Sequence, residues 1–387
     1  MKFTKLHIAG YRSLVDVWLP LRPLMVMIGP NGSGKTSLLE VFQLLKDATG
    51  KNLAKAIESQ GGLNTILPRI KDKNNQLCIE LEVDVESTRS PEPMRYHFVL
   101  TPGKIGYTIS SERLEWQFDP SADKPYCYID AHERRVWYTD LSARTMVQPS
   151  WEYDYSELAL AQVPPMYEEP EALRNAIAKT RSYSFLDVGP RSMIRLPQPL
   201  TPTTSPGPNG EFLYSALYNL RALHRDTVYR RLEDLLKTAF SDFSGLEFPV
   251  VGAGQVTMAW YQSGLTDPLY PNELSEGTLR FLWLATVLLA PEPSPITLID
   301  EPEVSLHPEL LKLLAGVLQD AAMRGMVIVA THSADLIRWL EANEVLILDK
   351  VEGQTTVTWA DSMNLDEWLR EYTLGDLWLM GTLGGRP

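Results

Sequence analysis

The stretch MVMIGPNGSGKTSLLEVFQLL, residues 25–45, decides the fold. The apolar residues 24–28 predict a short buried strand, and the apolar residues after Ser37 recur at the spacing of a helix. Between them, residues 29–36 (GPNGSGKT) match the pattern G-x-x-x-x-G-K-[ST] at every fixed position. Because a strand, a glycine-rich loop and a helix follow in the order that this pattern requires, we predict a phosphate-binding loop.

The residues of this loop suit the phosphates of a nucleotide. Glycine has no Cβ, so the loop can turn its N–H groups inward, and the start of the helix adds partial positive charge. Lys35 can reach the β- and γ-phosphate oxygens, and the Thr36 hydroxyl can ligate Mg²⁺. A chance glycine turn is the alternative, which the flanking elements disfavour. The predicted nucleotide contacts are Gly29, Asn31, Gly32, Ser33, Gly34, Lys35, Thr36 and Ser37.

The composition is that of an ordinary globular protein, with 387 residues of which 44% are hydrophobic and 22% are charged. This length predicts two or three domains, or one large domain with an insertion. The net charge of −13 argues against nonspecific nucleic-acid binding by the whole surface, although it leaves room for a local basic groove. The two cysteines, Cys78 and Cys127, suit a reducing compartment and lack the spacing of a metal site.

Two features of the sequence bear on its location. The longest apolar run, residues 281–290, is half as long as a membrane span needs to be. The first residues, MKFTKLHIAGYRS, lack the apolar core of a signal peptide. We therefore expect a cytoplasmic protein without a membrane partner.

The chain is expected to contain three segments. Residues 1–75 form an N-terminal lobe with the phosphate loop, where closely spaced strands suggest a mixed sheet. Residues 76–210 form an insertion of short antiparallel hairpins, followed by a Pro-rich linker or long surface loop at 195–210. Residues 211–387 form a helical segment and a C-terminal lobe.

Residues 211–243 read as one helix with a basic face. Such a face either tracks the phosphates of a nucleic acid or is merely solvated. Because Asp226, Glu233 and Asp234 dilute the positive charge, the solvated face is the favoured interpretation. The basic residues are Arg221, Arg225, Arg230, Arg231 and Lys237.

The C-terminal half supplies the other half of a catalytic site. Ser275 is a good N-cap for an apolar helix, and Gly277 lies in its first turn, so this helix start is a second anion site. The apolar strand 296–299 ends in Asp300, which can hold Mg²⁺ through water, and in Glu301, which can act as general base. The apolar strand 326–330 precedes His332, which could contact the γ-phosphate.

Three residues near the phosphate loop have two interpretations each. Gln60, in the polar glycine turn SQGGLNT, is a candidate ligand for Mg²⁺ or the attacking water, and otherwise a plain loop glutamine. Tyr11 and Arg12 precede the loop and either approach the nucleotide or form a surface turn.

Four segments in this order carry a family resemblance: GPNGSGKTS (29–37), LSEGT (274–278), LIDEPEVSLHP (298–308) and ATHS (330–333). With them the chain resembles the ABC-type ATPases, in particular the branch of RecF, SMC and OLD proteins. The string DEPEVSLHPELL and the ending YTLGDLWLMGTLGGRP are most similar to compact stand-alone ATPases of the AAA family that are related to OLD proteins. OLD nucleases carry a C-terminal Toprim domain, but too few residues follow Gly353 to build one, so we interpret Glu352-Gly353 as a hairpin turn and expect no nuclease activity.

The resemblance implies an α/β fold of the P-loop NTPase class with an ABC-ATPase-like mixed sheet and helices. The hairpin pattern adds an inserted antiparallel β-rich and helical region. The resemblance also implies that two copies pack head to tail around ATP and Mg²⁺. On this chain the resemblance assigns Lys35, Thr36 and Ser37 to the phosphates and Mg²⁺, and Asp300 to the metal as Walker B acid. The catalytic residues are then Lys35, Glu301 as base and His332 as switch histidine, while Gln60 stays a candidate metal ligand from its glycine turn alone. Ser275 and Gly277 act on the partner's nucleotide, and residues 305–307 occupy the D-loop position. The chain departs from the family in having LSEGT for LSGGQ, no clear Q-loop and no long coiled coil.

The sequence thus favours an ATP-driven dimerisation switch. Such a switch changes a surface that is offered to DNA or to a separately encoded nuclease or toxin, in DNA repair or in defence against phage. An energy-coupling subunit of a membrane transporter is the alternative, although a hairpin-rich insertion suits it poorly. A nucleotide-bound scaffold with negligible turnover is a third hypothesis.

Overall fold

The computed structural model describes residues 1–70, 75–85, 92–117, 124–133, 135–140, 145–365 and 367–384. The chain divides into two compact units. The first contains Met1–Thr180 and Leu346–Trp359 with the C-terminal residues, and the second contains Arg181–Val345 and Ala360–Leu383. These bounds do not coincide with residues 75 and 210, where the sequence suggested boundaries, and the three-segment division stays a prediction.

The strands and helices follow one another along the whole chain. The strands are β1 (Lys2–Tyr11), β2 (Leu14–Pro20), β3 (Leu24–Ile28), β4 (Leu77–Asp84), β5 (Met94–Pro102), β6 (Tyr107–Trp116), β7 (Tyr126–His132), β8 (Arg135–Thr139), β9 (Met146–Val147), β10 (Arg181–Tyr183), β11 (Gln198–Pro199), β12 (Phe243–Glu247), β13 (Val250–Gly252), β14 (Gln255–Val256), β15 (Ala259–Gln262), β16 (Ile296–Asp300), β17 (Met326–Ala330), β18 (Val345–Val351) and β19 (Gln354–Trp359). The helices are α1 (Lys35–Thr49), α2 (Leu53–Ser59), α3 (Leu63–Ile66), α4 (Ala159–Gln162), α5 (Glu168–Ala178), α6 (Leu213–Leu223), α7 (Arg230–Ala239), α8 (Glu276–Leu289), α9 (Pro308–Ala322), α10 (Ala334–Ile337) and α11 (Leu374–Leu379).

The first unit contains an antiparallel sheet with the strand order β2-β1-β4-β5-β6-β7-β8-β9. The predicted hairpins are confirmed, and β4 buries every second residue as a sheet with one covered face requires. The sequence suggested one mixed sheet for the closely spaced strands β1, β2 and β3. This was wrong, because β1 and β2 extend the antiparallel sheet whereas β3 lies in another sheet. The register explains why, since Ile8 of β1 pairs with Ile79 of β4, whereas β3 is buried at every residue.

The phosphate-loop strand β3 lies beside β18, which pairs with β19 as an antiparallel hairpin. Val351 pairs with Gln354, so Glu352 and Gly353 form the turn, with φ angles of 50° and 84°. Two positive φ values are typical of the tight turn that joins twisted strands. The interpretation of this dipeptide as a hairpin turn is confirmed. The final residues of the predicted OLD-like ending, 385–387, lie outside the described residues.

In the second unit, β10, β16 and β17 form a parallel arrangement in which β16 is central. Asp300 pairs with Ala330, so β16 and β17 end at the same edge. The helix α8 is buried along almost its whole length, as its apolar sequence predicted. Pro308 occupies the first turn of α9, the position that tolerates proline.

The predicted helix at 211–243 is interrupted, and the single-helix prediction was wrong. The chain forms α6, then a π-helical turn at Arg225–Tyr229, then α7. A π-turn inserts an extra residue into the helical ladder, which sequence periodicity does not reveal. The last predicted residues are drawn into β12, where Phe243 pairs with Gln262 of β15.

Of the two interpretations of the Pro-rich segment 195–210, the long loop fits and the linker does not, because the segment lies wholly within the second unit. Gln198 is buried, and its amide nitrogen donates to the carbonyl oxygens of Met193 and Gly210 at 3.1 and 2.8 Å. The indole N–H of Trp283 donates to the carbonyl of Gly207 at 3.0 Å. These hydrogen bonds satisfy the backbone of a segment whose composition resembles that of a mobile linker.

A buried carboxyl group joins the sheet of the first unit to α4. Glu112 of β6 is fully buried, and its Oε2 accepts from the N–H of Ala159 at 2.6 Å. Its Oε1 accepts from the N–H of Leu160 at 2.8 Å and from the hydroxyl of Tyr96 at 2.9 Å. Burial raises the pKa of Glu112 to about 7.

Within the part of the chain that the structure describes, no helix combines the length and apolar character of a membrane span.

We expect Glu112→Gln to lower the free energy of unfolding by about 1–3 kcal/mol, because the new amide N–H₂ would face a backbone donor. Urea denaturation of the purified protein measures this change. The matched control is Glu115→Gln on the same strand, whose half-buried ion pair with Arg113 at 2.8 Å should contribute about 1 kcal/mol or less. Equal losses for both variants would contradict the role of Glu112.

Candidate functional site

The predicted phosphate loop joins the end of β3 to the start of α1. Gly29, Gly32 and Gly34 have φ angles of 148°, 77° and 111°. A Cβ at Gly29 would collide with the carbonyl oxygen of Leu348, and one at Gly34 would lie 2.5 Å from Oγ1 of Thr355. Open space surrounds Gly32 instead. The glycines are therefore needed both for the backbone turn and for the close approach of β18 and β19.

The loop closes around Lys35, whose side chain is almost fully buried. Its Nζ donates to the carbonyl oxygens of Gly29 at 2.6 Å and Pro30 at 3.2 Å. The hydroxyl of Ser33 is buried and has no hydrogen-bond partner among the described residues. A positive charge and a spare hydroxyl inside a glycine loop fit the phosphates of a nucleotide.

Thr355 of β19 supports this loop from the far end of the sequence. Its hydroxyl donates to the carbonyl of Ser33 at 2.7 Å and is hydrogen-bonded to the hydroxyl of Ser13 at 2.8 Å. Its backbone N–H donates to the carbonyl of Ser13 at 2.8 Å. The sequence offered no signal for this residue, because threonine is common in strands and lies 322 residues from its loop partner.

The other candidates of the first unit form a small network beside α1. The hydroxyl of Tyr11, which is fully buried, donates to Oε1 of Gln60 at 2.6 Å. Arg12 forms an ion pair with Glu40 of α1 at 2.7 Å, and its backbone has a φ of 49°. Burial raises the pKa of Tyr11, so the phenol stays protonated and donates. The amide oxygen of Gln60 thus has a protein donor, and its metal role stays a prediction.

In the second unit, the start of α8 lies against the segment after β16. Oγ of Ser275 accepts from the N–H of Thr278 at 3.1 Å, which confirms the predicted N-cap. A Cβ at Gly277 would lie 2.5 Å from the carbonyl oxygen of Ser305, so only glycine allows this approach. Ser305 itself has a φ of 64°. The LSEGT segment and the predicted D-loop position are therefore neighbours.

The predicted catalytic residues of the second unit share one edge of the parallel strands. Asp300 is the last residue of β16, and the N–H of Glu301 donates to the carbonyl of Ala330 at 2.8 Å. Glu301 is exposed and has a φ of 48°, a conformation that non-glycine residues rarely adopt. His332 follows β17 by two residues. Backbone pairing thus brings Asp300, Glu301 and His332 to one edge of the parallel strands, and their catalytic roles stay predictions.

Glu303 is a part of this edge that sequence reasoning missed. Its Oε1 accepts from the backbone N–H of His332 at 2.8 Å, and the Thr331 hydroxyl also bonds to it. Its Oε2 is buried without a partner among the described residues. Burial is the main cause that raises the pKa of Glu303. The acid at the second position after Glu301 was the available signal, but the sequence alone gave it no partner.

A family model matches residues 24–338 of the chain; its description reads "AAA domain, putative AbiEii toxin, Type IV TA system". The phosphate loop and the acidic strand end are the parts expected of a P-loop ATPase. The chain belongs to this AAA family.

Two named relatives match short pieces. An OLD nuclease of Thermus scotoductus is 44% identical over 41 residues, which are 11% of this chain and 8% of that protein. A "Putative ABC transporter ATP-binding protein" of Streptomyces coelicolor is 39% identical over 87 residues, or 22% of this chain and 15% of that protein. The matches thus span a small fraction of either relative's length.

Two solved structures of SMC heads resemble almost the whole chain. One is a head bound to the C-winged helix domain of ScpA, with a TM-score of 0.55 and 13% identity. The other is a head with an extended coiled coil bound to the C-terminal domain of ScpA derived from Pyrococcus furiosus, with a TM-score of 0.54 and 12% identity. Each comparison covers 96% of this chain and 100% of the other. They confirm the predicted P-loop fold of the ABC-ATPase and SMC-head type, while membership of a compact OLD-related branch stays a prediction.

We expect Thr355→Val to weaken nucleotide binding about fivefold and to lower the free energy of unfolding by about 1 kcal/mol, since the phosphate loop loses hydrogen bonds to its support. Titration with a fluorescent ATP analogue and urea denaturation measure the two effects. Thr355→Ser keeps the hydroxyl and should bind like the wild type. Wild-type binding by Thr355→Val would show that the loop keeps its shape without this contact.

We expect Glu303→Ala to slow ATP turnover about tenfold, to the same extent as His332→Ala, because the His332 backbone loses its acceptor. Nucleotide affinity should not change. Glu303→Gln keeps the accepting oxygen and should keep most of the turnover. A steady-state phosphate-release assay compares the three variants, and full turnover by Glu303→Ala would remove Glu303 from the site.

Proposed function

We propose that the protein is an ATP-hydrolysing switch in which ATP closes a homodimer and hydrolysis opens it. The observation that carries this proposal is the glycine loop that encloses Lys35 in a member of an AAA family. Such a loop binds phosphates by shape and charge together. The buried Lys35 in this loop supports the proposal that the chain binds ATP.

The proposed division of labour follows the charges. Lys35 holds the β- and γ-phosphates, while Thr36 and Asp300, with Gln60 as a further candidate, serve Mg²⁺. The metal, when bound, neutralises the charge on these phosphates. Glu301 takes the proton of the attacking water, and His332 contacts the γ-phosphate.

The backbone of Glu301 supports its role as base. A positive φ in a residue with a Cβ costs of the order of 1–3 kcal/mol and persists only where the surroundings hold it. Here the hydrogen bond to Ala330 at 2.8 Å holds the residue at the strand end while its side chain stays exposed. A general base must reach the proton that it takes, and an accessible carboxylate on a held backbone suits this task.

The start of α8 supports a dimer. Ser275 and Glu276 are exposed, so this capped helix terminus presents its partial positive charge to solvent. We assign Ser275 and Gly277 to the γ-phosphate of a nucleotide held by a second copy. The nearby segment 305–307 would then lie in the same interface, because Gly277 packs against Ser305.

The switch is proposed to control DNA binding or a separately encoded effector. Toxin–antitoxin wording in the family description and the short match to an OLD nuclease support a nuclease or toxin as effector and a role in defence against phage. The alternative role is in DNA repair, where the switch would control binding to DNA. The cytoplasmic location expected from the sequence stays a prediction.

An energy-coupling role in a transporter is the second candidate, supported by the short match to an ABC transporter ATP-binding protein. The two functions differ in partners. Recovery of the protein with a membrane-embedded permease would favour the transporter, and recovery with DNA or a toxin would favour the switch.

We expect Glu301→Gln to bind ATP, to hydrolyse it at least about a hundredfold more slowly and to accumulate as a dimer, because the water lacks its base. Size-exclusion chromatography with light scattering and phosphate release measure the two effects. Lys35→Ala is the control and should stay monomeric with ATP because it loses the phosphate contact. An unchanged turnover rate of Glu301→Gln would remove Glu301 from the mechanism, and a monomer at saturating ATP would refute the dimer.

A further inference from the structure

A groove in the second unit contains none of the residues proposed above for ATP binding and hydrolysis. It runs between the helical segment α6–α7 and the hairpin of β12 and β15, and it consists of two open cavities of 320 and 380 Å³. Both cavities are lined by Arg221 and Arg225, so we call it the arginine groove. Each cavity has the size of a small-ligand site.

The two arginines are displayed by the interrupted helix. Arg221 lies on α6 and Arg225 begins the π-helical turn, a feature that often marks functional sites. Nη1 of Arg221 donates to the carbonyl of Leu246 at 3.1 Å, which holds the guanidinium against β12. The side chain of Arg225 is exposed along the groove. Two guanidinium groups on neighbouring turns are suited to bind one phosphate.

Tyr229, at the end of the π-turn, provides the observation that points to a ligand. The residue is only 2% exposed, lines the first cavity, and its hydroxyl is buried with no hydrogen-bond partner among the described residues. An unsatisfied buried hydroxyl costs about 1–3 kcal/mol. Arg221 and Arg225 line the same cavity as Tyr229. An acceptor between the arginines would satisfy the hydroxyl.

The remaining lining residues indicate which other groups a ligand of this groove would carry. Glu233 and Glu247 line the first cavity, and Oε2 of Glu247 accepts from the hydroxyl of Tyr261 at 3.1 Å. These carboxylates would repel a ligand that is anionic throughout, but they accept from hydroxyl and amino groups. The second cavity adds the rings of Tyr218 and Phe248 beside the arginines. Aromatic rings next to arginines are a combination that holds the base and phosphate of a nucleotide.

We propose that the arginine groove binds a nucleoside 5′-phosphate, with the phosphate on Arg221, Arg225 and the hydroxyl of Tyr229. The base lies toward Tyr218 and Phe248, and the hydroxyl groups of the sugar lie toward the carboxylates. The ligand is either a free nucleotide or the 5′-terminal nucleotide of a nucleic-acid strand, because both present this chemistry. This site is independent of the phosphate loop and of ATP hydrolysis.

The test uses the full chain with Lys35→Ala, so that binding at the phosphate loop does not contribute. Isothermal titration calorimetry with AMP, with a 5′-phosphorylated trinucleotide and with inorganic phosphate separates the sources. Arg225→Gln and Tyr229→Phe should each weaken binding of the nucleotide or the trinucleotide by about tenfold or more, since each removes a charged or charge-assisted hydrogen bond. Arg230→Gln is the matched control, because Arg230 is exposed, pairs with Asp226 at 3.1 Å and should leave binding unchanged.

Tyr229→Phe also separates a ligand role from a structural one. Without ligand the variant should melt at the wild-type temperature or above, because the lost hydroxyl had no partner. Tighter binding of AMP or of the trinucleotide identifies the source and supports the proposal. Absence of binding by both, equal binding of inorganic phosphate, or undiminished binding by Arg225→Gln and Tyr229→Phe would each overturn it.

Discussion

The contact of the Lys35 ammonium with the carbonyl oxygens of Gly29 and Pro30 is the constraint on which the first unit depends. A buried charge needs several acceptors, and this loop supplies them only if its glycines adopt positive φ angles. Because Gly29 and Gly34 have no side chains, the carbonyl of Leu348 and the side chain of Thr355 can approach the loop and support it. Residues near both ends of the chain therefore belong to one unit because they shape one loop.

The second unit uses a different device, in which backbone hydrogen bonds place acidic side chains at the end of parallel strands. Asp300 takes its position from the ladder with β17, and Glu301 takes its position from Ala330. Glu303 then ties the backbone of His332 to the same segment. These hydrogen bonds use backbone groups and the carboxylate of Glu303, so they leave the carboxylate of Glu301, the proposed general base, exposed.

Features that depend on a few consecutive residues could be predicted from the sequence. Features that depend on contacts between residues far apart in the sequence could not. The glycine loop, the Ser275 cap and the turn at Glu352 each need only a few consecutive residues. Thr355 and Glu303 gain their meaning from partners that the local sequence does not name. The same reason explains why the sheet of β1 was wrongly predicted, because its alternation fits any half-buried sheet. It also explains the error for the Pro-rich segment, because its composition does not reveal its hydrogen bonds within the unit.

Buried polar atoms without partners distinguish ligand sites only when a second observation accompanies them. The indole N–H of Trp260 also lacks a partner among the described residues, but its ring packs against Phe240 and Phe243 at centroid distances of 5.4 and 4.6 Å. There the unsatisfied indole N–H is a cost of packing the aromatic rings together. Tyr229 instead lines an open groove together with two arginines. A neighbouring cavity with complementary charge is therefore the second observation that separates an unsatisfied group in a core from one that a ligand completes.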